Sequence, residues 1–360
     1  MANIGTQTAG ATAAPYSVDL IRSLAILLVV LVHATAFPYI IPGEITPTVM
    51  KTWWTIDIYA AVANLAVPLF VMLSGALLLD PAKADEPLKV FFKKRFMRVG
   101  LPMIFWTIAY FGWGVFVSGQ PLTVNSVLQG LLSGSYYHLW FLYLLVGLYL
   151  ATPVLRVIVK HVNRDKFKYL LVLWFIGNTA VPFINQFASF GFNPVMFVFT
   201  GWIGYFLLGI YLLKVKARSW VAILGVVTGV SATIFGSWWI TATAGEKFTG
   251  FFHEPLNVTL IMASTSLFLL LTAIPKSKIE NGHPIANNLL HWISQNTLPI
   301  YLLHIIVMET IKAGFLGFTL NMNTMNPIIE IPLLTIITFA LTAAIVYPLK
   351  KIPFIKQIIG

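Results

Sequence analysis

The sequence VDLIRSLAILLVVLVHATAF, residues 18–37, decides the class of fold. Between Arg22 and His33 lie ten residues without a charge, nearly all of them apolar. Such a run is typical of a helix that crosses a membrane. Eleven steps along a helix turn about 1100°, roughly three turns plus 20°, and rise about 16 Å. Arg22 and His33 therefore share one helix face, with the imidazole half a bilayer away from the guanidinium.

The composition indicates a polytopic membrane protein. Of the 360 residues, 58% are hydrophobic and 10% are charged, whereas a soluble globular domain carries about 25% charged residues. Cysteine is absent from the sequence, which excludes disulfides, a thiolate acyl-enzyme and thiolate metal sites. We therefore expect an all-α fold that crosses the membrane several times.

Apolar runs of helical length predict about ten transmembrane helices. They cover residues 20–41, 56–79, 99–118, 138–158, 168–187, 195–213, 219–241, 257–274, 290–312 and 328–349. These spans predict a single transmembrane domain over residues 19–352, between a flexible N-terminal tail at 1–18 and a short C-terminal tail at 353–360.

The basic residues predict the orientation of the chain. Twenty of the 23 lysines and arginines fall on one side of the predicted spans, and only Lys51, Lys247 and Lys312 fall on the other. By the positive-inside rule both termini are cytoplasmic, in an inner or plasma membrane whose lipids surround the chain. The net charge of +11 is then a topology signal and does not favour a nucleic-acid partner.

Two interpretations of the first helix stay open on the residues alone. Arg22 is either an orientation charge or part of a site, and Asp19, three residues earlier, is placed to pair with it. His33 is either a neutral core histidine bonded to a helix carbonyl or the wall of a polar path. Because an imidazole is well suited to proton transfer near neutral pH, we interpret His33 as a functional residue.

The ninth span holds a second polar group, in ISQNTLPIYLLH at residues 293–304. Thr297 and His304 are seven residues apart and share a face, with Tyr301 on the same side. Pro299 predicts a kink, because it cannot donate a hydrogen bond to the carbonyl four residues earlier. The polar stripe indicates either contacts between helices or, as we prefer, the wall of a cavity.

Two further groups of residues are candidates for binding. Asp57 and Asn64 lie seven residues apart on one face of the second span. Lys94, Arg95 and Arg98 lie at the start of the third span. They are either topology charges or a forked site for phosphates.

Other motifs admit a structural interpretation beside a functional one. Ser74 in LFVMLSG lacks the flanking glycines of a hydrolase nucleophile elbow, so Ser74-Gly75 favours close helix packing. His138 and Trp140 in YYHLWFL suit either stacking on a sugar or a place at the membrane interface. The sequence has no histidine pair at metal spacing, no Walker loop and no dinucleotide fingerprint, so we expect neither a metal nor ATP chemistry.

In these motifs the chain resembles the acyltransferase-3 family of integral membrane acyltransferases. The motifs are Arg22-x10-His33, LFVMLSG at 69–75, Arg95-x-x-Arg98, YYHLWFL at 136–142 and QNTLPIYLLH at 295–304. In order and spacing they cover residues 17–349. The chain is similar to the stand-alone branch that O-acetylates surface glycans.

The resemblance implies a ten-helix enzyme that moves an acyl group, acetyl by default, from cytoplasmic acyl-CoA to a hydroxyl of an extracytoplasmic glycan or lipid-linked saccharide. The expected catalytic residues are His33, Arg22, Tyr301 and His304. The expected donor-binding residues are Arg95, Arg98, Lys94 and Ser74. The expected acceptor-binding residues are His138, Trp140, Asp57 and Asn64. We expect His33 to act as general base, with Tyr301 or His304 as donor to the oxyanion, and the oligomeric state stays open.

Two other functions are compatible with part of the pattern. A secondary transporter or exporter of a glycan or small solute also uses deep histidines and a kinked polar span. A scaffold protein leaves the histidines within the membrane without a purpose. An exporter has little need for a forked anion site at Arg95 and Arg98, which favours the acyltransferase.

Overall fold

The computed structural model describes residues 16–35, 47–117, 119, 121, 123–187, 201–244, 250–321 and 324–360. Within these ranges the chain consists of α-helices and short 3₁₀ and π-helical turns. One isolated β-bridge joins Tyr16 to Pro275. The fold class predicted from the sequence, an all-α polytopic membrane protein, is confirmed.

Seventeen α-helices follow one another along the described chain. The first nine are α1 (Val18–Thr35), α2 (Pro47–Ala63), α3 (Ala66–Leu78), α4 (Leu88–Arg95), α5 (Leu101–Phe116), α6 (Val124–Ser133), α7 (Trp140–His161), α8 (Arg164–Phe175) and α9 (Val181–Phe187). The others are α10 (Gly201–Leu212), α11 (Ser219–Ala244), α12 (Val258–Ala273), α13 (Lys276–Glu280), α14 (Pro284–Gln295), α15 (Thr297–Lys312), α16 (Pro327–Leu349) and α17 (Pro353–Ile358).

Eight helical segments of the described chain are long and apolar enough to cross a membrane. They are Val18–Thr35, Val49–Leu78, Leu88–Phe116, Val124–His161, Arg164–Phe187, Ser219–Thr243, Phe251–Ala273 and Pro327–Leu349. At the two other predicted spans the helices are shorter: α10 has 12 residues, and the ninth span is divided between α14 and α15. The end of the first predicted span and the start of the sixth lie outside the described residues.

Proline interrupts two of the long helices. Pro68 has no N–H for the carbonyl of Asn64, and there α2 gives way to α3. Pro299 acts in the same way on Gln295, the last residue of α14. The predicted kink in the ninth span is therefore confirmed. The second predicted span is also one candidate membrane span, Val49–Leu78, with a two-residue interruption at Asn64 and Leu65.

Helix α1 lies at the centre of the bundle. It contacts α2, α3, α14, α15 and α16, and Ile21, Ala25 and Ile26 on it are fully buried. A helix that is apolar on nearly every side reaches this degree of burial only when other helices surround it. The polar residues of α1, Arg22 and His33, are thereby brought among other helices of the protein.

Glycine allows α3 and α10 to approach backbone to backbone. A Cβ atom on Gly75 would overlap the backbone of Phe206, and one on Gly209 would overlap the backbone of Met72. The packing interpretation of Ser74-Gly75 is thus confirmed for the glycine. The Ser74 side chain lines a cavity instead.

The ends of the described chain fold onto the bundle. Tyr16 and Ser17 are buried, whereas the flexible tail predicted at 1–18 lies, up to residue 15, outside the described residues. Residues 353–358, expected in a short tail, form α17, which packs on α5. Trp106 of α5 donates a hydrogen bond of 3.4 Å to the carbonyl of Ile359.

Candidate active site

Two cavities lie next to each other inside the bundle and share part of their walls. Their volumes are about 360 Å³ and about 200 Å³. Phe70, Phe141 and Tyr301 line both of them. We call the larger one the arginine cavity, because Arg22, Arg95, Arg98 and Arg156 line it. We call the smaller one the histidine cavity, because His33 and His138 line it.

The arginine cavity is strongly basic. Its described lining residues include six cations and one carboxylate, namely Arg22, Lys83, Lys94, Arg95, Arg98 and Arg156 against Glu86. Every residue predicted to bind the donor is in this wall: Lys94, Arg95, Arg98 and Ser74. A surplus of guanidinium and ammonium groups suits a polyanion such as a nucleotide with several phosphates.

The two arginines of the R-x-x-R motif flank a local change in helix geometry. Arg95 ends α4, and Arg98 lies in a π-helical turn, Phe96–Gly100, that connects α4 to α5. Single π-helical turns inside α-helices recur at functional sites. Although the motif departs from a regular α-helix, both side chains reach the same cavity, as their spacing predicts.

Arg95 is held by aromatic rings and keeps part of its hydrogen-bonding capacity unused. Its guanidinium carbon lies 5.3 Å from the ring centre of Phe91 and 5.7 Å from that of Tyr149. Within the described chain, its buried Nε has no hydrogen-bond partner. A buried donor without a partner is costly, and an anion bound in this cavity would satisfy it.

Arg156 and Glu86 form an ion pair in the same wall, and neither was among the predicted site residues. Arg156 Nε donates a hydrogen bond of 2.6 Å to the carbonyl of Leu78, and its Nη1 lies 2.9 Å from Glu86 Oε2. Lys94 Nζ lies 2.8 Å from the other carboxylate oxygen. The hydrogen bond from Lys94, reinforced by that from Arg156, lowers the pKa of Glu86. This carboxylate is therefore charged at neutral pH.

Three histidines from distant parts of the chain meet: His33 and His138 line the histidine cavity, and His304 packs against both of their rings. His33 lies in the last described turn of α1, His138 in a 3₁₀ turn before α7, and His304 in the middle of α15. The ring centre of His304 is 5.1 Å from that of His33 and 5.7 Å from that of His138. The rings of His33 and His138 are 6.3 Å apart. The sequence predicted each of these residues separately, and the fold brings them together.

Hydrogen bonds fix the protons of two groups in this cluster. His304 Nδ1 lies 2.6 Å from the carbonyl of Tyr301, so Nδ1 carries the proton and Nε2 keeps a lone pair. The Tyr301 hydroxyl donates its single proton to the carbonyl of His138. In the described chain, both ring nitrogens of His138 and Nε2 of His304 are buried without a partner of normal hydrogen-bond geometry. Of these two residues, His138 lines the cavity, so its ring is the one next to a molecule bound there.

A carboxylate supports the wall behind His138. Glu309 Oε1 accepts a hydrogen bond of 2.5 Å from the Tyr136 hydroxyl, and Oε2 accepts one of 2.7 Å from Trp113 Nε1. The ring of Tyr136 stacks on that of Tyr110 with centres 4.8 Å apart. Tyr110 in turn lies 4.7 Å from the imidazole of His138. Glu309 therefore fixes the position of the rings that enclose His138.

The predicted acceptor residues divide between the histidine cavity and its support. Asn64 and Trp140 line the cavity with His138. Asp57 lies behind it, and its Oδ1 is 2.6 Å from Nε2 of His253, a residue that was not predicted. Trp140 leaves 40% of its surface exposed, so its ring is accessible to a bound molecule.

The expected pair between Asp19 and Arg22 does not form in the described chain. Asp19 Oδ2 lies 2.9 Å from His291 Nδ1 on α14 and, in the described chain, does not pair with Arg22. The spacing of three residues permits an ion pair on one helix but does not decide it. Arg22 lines the arginine cavity instead.

These observations define a polytopic helical protein in which a cationic cavity meets a cavity lined by histidines. Residues 16–347 match the acyltransferase-3 family, which is described as an acyltransferase domain. The chain belongs to this family and is a membrane acyltransferase. Comparisons with curated proteins and with solved structures found no match.

Proposed function

We propose that the protein moves an acyl group from cytoplasmic acyl-CoA to a hydroxyl of a glycan or lipid-linked saccharide on the other side of an inner or plasma membrane. The observation that carries this proposal is that the arginine cavity and the histidine cavity share Phe70, Phe141 and Tyr301. A donor with several phosphates and an acceptor with a hydroxyl can therefore reach the same point from opposite sides.

The arginine cavity is the proposed donor site. Arg95 and Arg98 bind phosphates of CoA as forked hydrogen-bond donors, and Arg22 and Lys94 add positive charge. The pantetheine arm extends from there past Tyr301 toward His33. Since the histidine cavity has a volume of only about 200 Å³, a short acyl group such as acetyl fits best beside an acceptor.

His33 is the proposed general base. It takes the proton of the acceptor hydroxyl as that oxygen attacks the thioester carbonyl. The new C–O ester bond forms, the C–S bond breaks, and the proton passes from His33 to the departing thiolate, which leaves as CoA thiol. Direct transfer fits a sequence without cysteine, and a transient acyl-imidazole on His33 is the less favoured variant.

His304 and His138 support this step in different ways. The lone pair on His304 Nε2 lies in a ring centred 5.1 Å from that of His33, where it orients or relays the proton of the base. His138 is the favoured donor to the oxyanion, because it lines the histidine cavity and its ring centre lies 6.3 Å from that of His33. The Tyr301 hydroxyl already donates a hydrogen bond to the His138 carbonyl. We therefore assign Tyr301 to positioning rather than to stabilising the oxyanion.

The acceptor enters the histidine cavity beside Trp140. An exposed indole is suited to stacking on a sugar ring, whose C–H face is apolar. The acceptor hydroxyl then lies between Trp140 and His33, both of which line this cavity.

A transfer assay tests the proposed function. Purified protein in lipid nanodiscs receives acetyl-CoA labelled on the acetyl group, together with the saccharide-lipid extract of source-cell membranes that lack this protein. We expect label in an alkali-labile saccharide ester and release of one CoA thiol for each ester. Absence of label from every saccharide would overturn the proposal. Movement of unmodified saccharide across vesicles, independent of CoA, would instead identify an exporter.

A further inference from the structure

A buried chain of three polar residues connects α2 to the edge of the histidine cavity. Asp57 Oδ1 lies 2.6 Å from Nε2 of His253, and the Nδ1 atom of the same ring lies 3.1 Å from Asn64 Nδ2. Asp57 is 5% exposed and the His253 side chain 11%. Asn64, the last member of the chain, lines the histidine cavity together with His33.

The chemistry of these contacts fixes which atoms carry protons. An ionised carboxylate only accepts hydrogen bonds, so His253 Nε2 carries a proton and donates a hydrogen bond to Asp57. The neutral ring then accepts at Nδ1, and Asn64 donates from Nδ2. One of the two Nδ2 protons is engaged in this way, so Asn64 keeps Oδ1, a hydrogen-bond acceptor, and the second Nδ2 proton for another molecule.

The break between α2 and α3 places this amide at the cavity. Pro68 cannot donate to the Asn64 carbonyl, so the helix opens at this residue. Proteins that act on substrates within a membrane often place a binding site at such a break in a helix. Asp57, seven residues earlier on the same face, is then in reach of His253 as well.

Helix packing alone gives little reason for a carboxylate at this position. Burying a charged group is costly, and one hydrogen bond from a neutral imidazole recovers that cost only in part. Within the described chain, Asp57 Oδ2 has no partner, so the carboxylate is not fully satisfied. In other enzymes, a carboxylate that binds one imidazole nitrogen sets the tautomer and hence the role of the other nitrogen.

We propose that Asp57 and His253 are positioning residues for the acceptor. They hold the Asn64 amide so that Oδ1 accepts a hydrogen bond from a saccharide hydroxyl in the histidine cavity. This inference rests on the proposed function and adds to it the device that selects and orients the hydroxyl next to His33. A saccharide hydroxyl suits this contact because it can donate a hydrogen bond to Oδ1.

We call the chain formed by Asp57, His253 and Asn64 the relay. Steady-state kinetics of matched variants test whether it positions the acceptor. The probes are labelled acetyl-CoA and the saccharide-lipid extract described above, with the extract titrated to obtain an apparent KM for the acceptor. We expect Asn64→Ala, His253→Gln and Asp57→Asn each to raise this acceptor KM about tenfold, the effect of losing one well-placed hydrogen bond. The KM for acetyl-CoA stays within about twofold of the wild-type value, because the arginine cavity is unchanged. The exposed histidine variant His161→Gln is the matched control and leaves both KM values as they are.

Non-additivity and stability separate a relay from a packing contact. The double variant Asp57→Asn/His253→Gln is expected to be no worse than either single variant, since both interrupt the same chain. If the three residues only hold helices together, the variants lose thermal stability while their folded fraction keeps the wild-type acceptor KM. This result would overturn the inference. If wild-type protein labels the extract but Asn64→Ala keeps its acceptor KM, the relay is wrong while the proposed function stands. If wild-type protein labels no saccharide, the proposed function fails and the relay fails with it.

Discussion

The hydroxyl of Tyr301 donates a hydrogen bond to the main-chain carbonyl of His138, and the ring of Tyr301 lines both cavities. One side chain thus joins α15 to the turn that carries His138, at the place where donor and acceptor are proposed to meet. Pro299, two residues earlier, opens the helix just before this point. The position of His138 therefore depends on a residue 163 positions away in the sequence.

Tyr301→Phe tests this connection. The ring remains in the walls of both cavities, but the turn that holds His138 loses its hydrogen bond. A small displacement of a reacting group costs up to about 100-fold in rate, so we expect kcat for transfer to fall about 10- to 100-fold. The KM for acetyl-CoA is expected to stay unchanged, and Tyr169→Phe, at an exposed tyrosine, is the matched control.

The size of the loss distinguishes two roles for Tyr301. A direct oxyanion donor is worth about 100- to 1000-fold in kcat. A loss of kcat near 1000-fold would indicate that the Tyr301 hydroxyl donates to the oxyanion of the reacting carbonyl, as expected from the sequence. Wild-type kcat in Tyr301→Phe would remove Tyr301 from both roles.

Arg95→Lys tests the donor site. Lysine keeps the charge but loses the planar fork and the contact with Phe91 and Tyr149. We expect KM for acetyl-CoA to rise about tenfold, with little change in kcat or in the acceptor KM. The control Lys89→Gln removes an exposed charge on the same helix, α4, outside the cavity wall. Equal affinity of Arg95→Lys and wild type for CoA would place the phosphates elsewhere.

Glu86→Gln tests the one carboxylate among the described residues of the arginine cavity. Because hydrogen bonds from Lys94 and Arg156 lower the pKa of Glu86, its negative charge is present at neutral pH and competes with phosphate for these cations. We expect Glu86→Gln to bind CoA about three- to tenfold more tightly at low salt, with the difference shrinking as salt screens the charges. The control is Asp85→Asn, whose side chain is 86% exposed. Weaker CoA binding by Glu86→Gln would show that the carboxylate orders the site rather than competing in it.

The lowered pKa of Glu86 also predicts how the thermal stability of the protein changes with pH. A group whose folded-state pKa is lowered contributes stability above its unfolded pKa, and this contribution is lost as the pH falls through the folded pKa. Wild-type protein is therefore expected to lose more thermal stability on acidification below the usual glutamate range than Glu86→Gln does. Parallel pH profiles of the two melting temperatures would contradict the lowered pKa of Glu86.

Arg156→Met tests a structural role. Arg156 is 2% exposed, and it binds the Leu78 carbonyl and Glu86 at once. The variant leaves the Leu78 carbonyl without this donor, and an unsatisfied buried polar group costs about 1–3 kcal/mol, so we expect a fall in the melting temperature in nanodiscs. Arg218→Met, at an exposed arginine, is expected to melt like wild type. An unchanged melting temperature of Arg156→Met would refute this role.

Residues grouped along one segment were predictable from the sequence. The R-x-x-R motif, the polar face of α15 and the kink at Pro299 each depend on spacings of a few residues, and helical periodicity makes such spacings readable. The composition likewise predicted the fold class. These features bring Arg95, Arg98 and Tyr301 to the cavities where they were expected.

Contacts between distant segments were not predictable in this way. Asp57 and His253 are 196 residues apart, and His253 lies in a three-residue turn without periodicity. In the sequence, Arg156 stands among basic residues that we interpreted as topology signals. A basic side chain that binds a helix end has the same sequence signature as one that sets topology. Pro68 was visible in the second span, but only the structure shows that the helix breaks there.

Transfer by the His33→Ala variant tests directly whether His33 is the general base. Protein is reconstituted in sealed vesicles with the saccharide-lipid extract inside and labelled acetyl-CoA outside, facing the arginine cavity. We expect wild-type protein and His161→Ala to acetylate the enclosed saccharide, while His33→Ala binds CoA normally and melts normally but transfers no label. Near-normal acetylation by His33→Ala would rule out His33 as the base.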